Sequence, residues 1–261
     1  MSNPLAALRA FGLEGKTAFI TGAASGLGKA TARLFLDVGA RVAVADLDIA
    51  AAQTAVTEFA VGGRALAVEM DVSDEAAVKR AFADSAAAFG PVDVLVNNAA
   101  YRNKADTMTM SVEEWDRMQG VCTRGTFLCL RHAVEQMRGR GGAIVNISSM
   151  SAQHPTIFPN MHYDAAKAGV DAITRLAAVE FASDKIRVNS VLPGGMTTPG
   201  VANMHASSVA ITGPATIPGR SVMGRAADPI EMARAVLFLA SDAASYITGA
   251  ELLVDGGFTK G

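Results

Sequence analysis

Short apolar runs and amphipathic stretches alternate along almost the whole chain. The first run, Lys16 to Ile20, is a compact apolar strand candidate that ends at a glycine-rich turn. Residues 26–38 then carry a helical period through Ala30, Leu34 and Val38, and Gly39 stands where a helix C-terminal cap belongs. A second buried strand, Arg41 to Ala45, ends on Asp46. The alternation continues with a helix near 48–60, a strand at 64–69, a helix near 74–88 and a strand at Val92–Val96. Helical segments at about 111–138 precede a strand at Ala143–Ile147, and a helix at about 162–182 precedes one at Ile186–Val191. A helix near 228–240 and the strand Glu251–Val254 close the series.

This order predicts an α/β fold. Alternating strands and helices require right-handed crossovers, so the expectation is a doubly wound parallel sheet of about seven strands with helices on both faces. The absence of internal repeats, low-complexity tracts and linkers predicts a single domain over 1–261. The irregular stretch of about 194–227 is too long for an ordinary core connection, and the reading places a substrate lid at about 195–220.

Composition narrows the function. Half of the residues are hydrophobic and few are aromatic, which suits a sheet buried on both faces. A net charge of −2 with no basic cluster argues against nucleic acid and anionic membrane surfaces as partners. No apolar run is long enough to span a bilayer, and the first residues lack the pattern of a signal peptide. The two cysteines, Cys122 and Cys129, are separated by about 10 Å if they share one helix, too far for a disulfide. Free thiols and the missing signal predict a cytoplasmic location.

The turn Thr21-Gly22-Ala23-Ala24-Ser25-Gly26-Leu27-Gly28 lies between the first strand and the first helix. Phosphate binding needs that placement, because glycines admit a pyrophosphate close to the backbone and the helix N-terminus aims free N–H groups at it. Asp46 ends the second strand, where a carboxylate can accept from adenosine ribose hydroxyls. A 2′-phosphate would meet that charge, and Leu47 rather than an arginine follows, so NAD is favoured over NADP. The alternative is that Asp46 merely caps the next helix.

Tyr163 and Lys167 lie four apart and share a helix face. A nearby ammonium stabilises a phenolate, which equips a tyrosine to exchange a proton with an alcohol or carbonyl oxygen. Ser148 and Ser149 follow the fifth strand, at the carboxyl edge where ligands of such sheets bind. One hydroxyl there can donate to the substrate oxygen, and the other is expected only to form the turn.

Together these residues resemble the short-chain dehydrogenase/reductase family over nearly the whole chain. The resemblance implies a Rossmann-like fold, catalytic residues Ser149, Tyr163 and Lys167, and no metal. It implies a cofactor site built from Gly22, Ser25, Gly26, Leu27, Gly28, Asp46, Leu47, Asp71, Val72, Asn98, Tyr163, Lys167, Pro193, Gly194, Met196 and Thr198. It also implies a homotetramer joined through the helices near 105–138 and 162–182. Three departures stand out. Ala100 replaces a usual glycine, the spacing from Ser149 to Tyr163 is one residue longer than common, and Cys122 stands where a catalytic asparagine is expected. The longer spacing predicts that the loop 153–160 bulges into the substrate pocket. A thiol cannot reproduce an amide's hydrogen bonds, so Cys122 either packs as a small buried group or leaves a nucleotide-binding scaffold.

The expected substrate surface spans Tyr101–Asn103, Met150–Met161 and the lid, and is largely apolar through Met150, Ile157, Phe158, Met161, Met196, Val201, Met204 and Ile211. No lysine and one arginine, Arg220, lie between 195 and 220, which argues against strongly anionic substrates; for Arg102 the expectation is a solvated arginine, the alternative a carboxylate contact. The expectation is an NAD-dependent oxidoreductase for a neutral, fairly hydrophobic secondary alcohol or its ketone. The alternative is a 3-oxoacyl-thioester reductase, against which Asp46 and the net negative charge both speak.

Overall fold

Seven strands form at the expected places and hydrogen-bond into one parallel sheet. They are β1 (Thr17–Thr21), β2 (Arg41–Asp46), β3 (Ala65–Glu69), β4 (Val94–Asn97), β5 (Gly142–Ile147), β6 (Ile186–Pro193) and β7 (Glu251–Val254). Their order across the sheet is β3-β2-β1-β4-β5-β6-β7. β1 therefore has β2 on one side and β4 on the other, and the chain reverses its direction of progress between them. That switch point opens a crevice at the carboxyl edge of the sheet. The computed structural model describes residues 8–198 and 212–261.

The helices are α1 (Gly26–Asp37), α2 (Ile49–Phe59), α3 (Glu75–Phe89), α4 (Val112–Gln119), α5 (Gly125–Met137), α6 (Met161–Glu180) and α7 (Pro229–Ala240). Alternate strand residues feed two cores. Ala18, Ile20, Val42, Val44, Val94 and Val96 pack with Phe35 and Leu36 of α1, Ala52 of α2, and Met232 and Val236 of α7. Phe19, Ala43, Ala45, Leu95 and Ile144 pack instead with Phe82 of α3, Leu128 of α5 and Ala177 of α6. Phe19 and Phe82 stack at 4.2 Å between ring centroids. Burial on both faces is why the strands carry continuous apolar runs rather than strict alternation.

Element ends differ from expectation by a residue or two, with local causes. β4 begins at Val94 rather than Val92, because the Val92 N–H donates to the Gln136 side chain instead of a strand. The expected helical stretch of 111–138 is two α-helices joined by a wider π turn, Gly120–Arg124, which contains Cys122. Thr123 helps hold that turn by donating to the Ala166 carbonyl of α6 at 3.1 Å. Cys122 and Cys129 are both buried free thiols.

Two backbone connections bracket the expected lid. Thr197 N–H donates to Ala227 O and Ala227 N–H to Gly195 O, while Phe158 and Thr212 exchange both of their hydrogen bonds. The part of the lid at 199–211, including Val201, Met204 and Ile211, lies outside the described residues. Among the described residues, no helix is long and apolar enough to cross a membrane.

Candidate active site

A cavity of about 1000 Å³ opens at the switch point. Of the residues expected to catalyse or to hold cofactor, Gly22, Ser25, Gly26, Leu27, Asp46, Leu47, Asp71, Val72, Asn98, Ser149, Tyr163, Lys167, Pro193, Gly194, Met196 and Thr198 line it. Gly28 does not line it and packs against the turn. A Cβ on Gly28 would stand 2.2 Å from the Gly22 carbonyl oxygen and 2.6 Å from the Asn98 amide nitrogen. Its lack of a side chain lets α1 seat against the turn.

The nucleotide end has the features a pyrophosphate and ribose require. Ser25 caps α1 without using its side chain, whereas Asp48, Asp74, Ser111 and Asp228 each accept a backbone N–H at the start of α2, α3, α4 and α7. The first-turn amides of α1 thus face the cavity without a side-chain acceptor from their own cap. Gly22 has φ of +62°, and a Cβ there would lie 2.9 Å from Ala99 Cα. Asn98 holds the turn by donating from Nδ2 to the Thr21 and Gly22 carbonyls, both at 2.9 Å.

Asp46 does not cap α2, since Asp48 does so by accepting from Ala51 N–H. Its Oδ2 accepts from Ala24 N–H at 2.9 Å and its Oδ1 from Asp48 N–H at 3.1 Å. The carboxylate is thereby fixed at the cavity rim. Asp71 accepts from the amide and the hydroxyl of Ser73. A dinucleotide fits this donor set, with acidic Asp46 at the ribose end and the glycine cradle at the phosphates.

At the other end Ser149, Tyr163 and Lys167 converge, each buried. Lys167 Nζ donates to the Ile147 carbonyl at 2.7 Å and lies 5.7 Å from the Tyr163 ring centroid. Ser149 Oγ pairs with Ser151 Oγ at 2.9 Å. Ser148 also lines the cavity, but its hydroxyl donates to the Lys167 carbonyl, the bond expected of the structural serine of the pair. The loop before α6 brings Thr156, Ile157 and Asn160 to the cavity, as the longer spacing predicts. Phe158 and Met161 stand outside it, partly exposed. Asn103 also stands outside, donating instead to Glu114 Oε1.

Cys122 is buried against Met118, Tyr163 and Ala166, with Sγ 3.8 Å from Met118 Sδ and 3.9 Å from the Tyr101 carbonyl. It does not line the cavity. Ala100 is not strained, since the non-glycine residues with positive φ among the described residues are Ala60 and Lys185.

Ser151, Thr156, Asn160 and Arg102 all fall within the stretches expected to face substrate, but their individual contacts were not foreseen. The Arg102 guanidinium is half-buried, lines the cavity and sits 4.2 Å over the Tyr163 ring centroid. It lies four residues beyond Asn98 in the segment that leaves the carboxyl edge of β4, which was the available signal.

A parallel sheet with a glycine cradle, a rim carboxylate and a Ser-Tyr-Lys wall defines a dinucleotide-dependent oxidoreductase. A family model described as enoyl-(acyl carrier protein) reductase matches residues 22–259. The chain is 44% identical over 246 residues to a cis-4-hydroxycyclohexanecarboxylate dehydrogenase from Sinomonas cyclohexanicum, covering 94% of this chain and 96% of that one. It is 41% identical over 251 residues to a 2,5-dichloro-2,5-cyclohexadiene-1,4-diol dehydrogenase from Sphingobium indicum, covering 95% and 98%. A 3-ketoacyl-(acyl-carrier-protein) reductase from Brucella melitensis, solved with NADH, superposes with a TM-score of 0.86 at 37% identity, covering 95% and 99%. The chain belongs to the short-chain dehydrogenase/reductase family, and within it resembles alcohol dehydrogenases.

Proposed function

We propose that this protein is an NAD-dependent dehydrogenase interconverting a fairly hydrophobic secondary alcohol on a carbocyclic ring and its ketone. The observation that carries the reading is the convergence of Ser149, Tyr163 and Lys167 on the cavity whose far rim is Asp46. Bound NAD supplies the acceptor for the carbinol hydrogen. Tyr163 takes the hydroxyl proton as the carbonyl forms. Ser149 donates to the same oxygen and holds it toward the phenol. Lys167, anchored on Ile147, keeps a positive charge beside the ring while the proton moves. Asp46 binds the ribose hydroxyls and disfavours a 2′-phosphate by like charge.

Support for the ring comes from the relatives, two of which are named for cyclohexane or cyclohexadiene alcohols. The neutral substrate expected from the sequence rested partly on a solvated Arg102, which instead lies half-buried over the Tyr163 ring. A homotetramer belongs to this reading, supported by exposed Phe127 on α5 and by Leu176 and Val179 on α6. So does a cytoplasmic setting, supported by the two free thiols.

The test is initial-rate absorbance at the reduced nicotinamide band. Purified protein is given NAD or NADP and a panel of cyclic, aryl and terpenoid secondary alcohols, an acetoacetyl thioester as the competing substrate class, and Tyr163→Phe beside the wild type. NAD-selective turnover of ring alcohols, reduced about 10²- to 10⁴-fold in the variant, is expected. Turnover confined to the thioester, or a preference for NADP, would overturn the reading.

A further inference from the structure

We infer that Asp164 is a positioning residue: through the Ser151 hydroxyl, its charge state sets whether Ser149 offers a proton or a lone pair to the substrate oxygen. A chain of hydrogen bonds carries the argument. Ser149 Oγ and Ser151 Oγ lie 2.9 Å apart, a pair in which either oxygen can be the donor. Ser151 also gives its backbone N–H to Ser149 Oγ at 3.2 Å. The Ser151 hydroxyl in turn bonds to the Asp164 carboxyl, and Asn160 Nδ2 donates to Asp164 Oδ1 at 2.6 Å. Ser149, Ser151 and Asn160 are buried and line the cavity. Asp164 stands outside that lining, in the first turn of α6 next to Tyr163.

Each hydroxyl in this chain has one proton, so its links cannot be set independently. A carboxylate only accepts. With Asp164 ionised, Ser151 gives its proton to the carboxylate and Ser149 gives its own to Ser151, which leaves a lone pair of Ser149 toward the cavity. An alcohol can donate to that lone pair, but a ketone has no proton to give. With Asp164 protonated, the acid donates to Ser151 and Ser151 to Ser149, and the Ser149 proton serves a carbonyl oxygen. Bonds to the charged form are the stronger ones, so turning Ser149 against the ionised chain costs a factor of about ten. Burial pushes the Asp164 carboxyl up to about 6, against the hydrogen bonds of Ser151 and Asn160 and the charge of Arg102, so the chain reverses close to neutrality. Among the described residues, Arg102 is the charged group that acts on this carboxyl. On α6 itself, Lys167 turns its ammonium to the Ile147 carbonyl and His162 faces Glu114 of α4 at 3.9 Å.

The inference rests on the dehydrogenase reading only for the oxygen that Ser149 meets. Its first test needs neither substrate nor turnover. Carbon NMR of the carboxyl groups follows the full-length protein through a pH titration, and the signal missing from Asp164→Asn is assigned to Asp164. Ser151→Ala should raise the Asp164 midpoint and Ser149→Ala should raise it by less, because each removes a hydroxyl that supports the anion. A midpoint unmoved by Ser149→Ala would overturn the inference. The second test reads direction. In the wild type, kcat/KM for NADH-dependent reduction of a cyclic ketone should fall about tenfold as pH rises through that midpoint. Asp164→Asn should show no such limb, since Asn160 holds the amide oxygen and the amide N–H donates to Ser151 at every pH. The same limb in the variant, with or without a uniform loss of rate, would make Asp164 only a brace for the loop 153–160 and would sink the inference. Failure of the dehydrogenase reading is separate, because it shows as absent turnover across the alcohol panel with the Asp164 midpoint still dependent on Ser149.

Discussion

The Nδ2 of Asn98 lies within 2.9 Å of the Gly22 carbonyl, in space that a Cβ on Gly28 would enter. The end of β4, the glycine turn and the start of α1 are thus packed against one another with no spare volume. Gly28→Ala is expected to displace the Asn98 amide, weaken NAD binding by about tenfold or more, and destabilise the fold by about 1–3 kcal/mol through overpacking. NAD titration by calorimetry and a urea melt check both effects. Unchanged affinity would show that the turn can give way.

Asp46 carries two backbone hydrogen bonds as well as the proposed ribose contact. The pair Asp46→Ser with Leu47→Arg is expected to lower kcat/KM for NAD about 10- to 100-fold and to raise NADP use. Steady-state kinetics with both cofactors decide it. A variant that still prefers NAD as strongly as the wild type would remove Asp46 from the recognition site.

Cys122 lies in a closed site where, among the described residues, its thiol has the Tyr101 carbonyl and the Met118 sulfur as polar neighbours. Cys122→Asn buries an amide there, and a loss of about 1–3 kcal/mol in stability is expected from incomplete hydrogen bonding. With Tyr163 and Lys167 undisturbed, kcat should stay within about threefold. A rise of about tenfold or more in kcat would mean that the thiol limits proton exchange.

Asp171 is buried on α6, with its carboxyl raised from 3.8 to about 6 by burial, against the hydrogen bonds of Ser148 and Ser190 and the charge of Arg175; Glu251 adds to the rise. A folded value above the unfolded one means that the unfolded chain gives up its proton first. Stability is therefore full below about pH 4, falls as pH rises toward 6, and stays level above that. Asp171→Asn is expected to flatten much of this slope and to gain up to about 3 kcal/mol at neutral pH. Urea midpoints at acid and neutral pH measure it, and an unchanged slope would exclude Asp171 as its source. Asp164, raised for the same first cause, should leave a residual slope.

The sheet and the nucleotide end were legible in the sequence because each depends on local pattern. Apolar runs ending at Thr21, Asp46 and Ile147 mark strand ends, and strand ends in such a sheet mark the ligand edge. The place of Arg102 at the site was legible, within Tyr101–Asn103, but its contact with Tyr163 was not. The residue sits in an irregular loop where no period fixes a side-chain direction, and its stack on Tyr163 joins elements far apart in sequence. The π turn at Gly120–Arg124 also escaped, because one widened turn leaves the flanking helical periods intact. Gly28 was legible as a motif glycine but its close packing was not, since the same residue type serves close packing and ligand approach.

The backbone connections at Gly195–Thr197 with Ala227, and at Thr212 with Phe158, have a consequence for how such a protein diversifies. The chain leaving β6 is stapled before residue 198 and again at 212, once to the segment that leads into α7 and once to the loop that leads into α6. Both staples are made by main-chain groups, so a substitution other than proline at these positions leaves their donors and acceptors in place. Side chains at the rim of the cavity can therefore vary while the anchor points of the rim are kept.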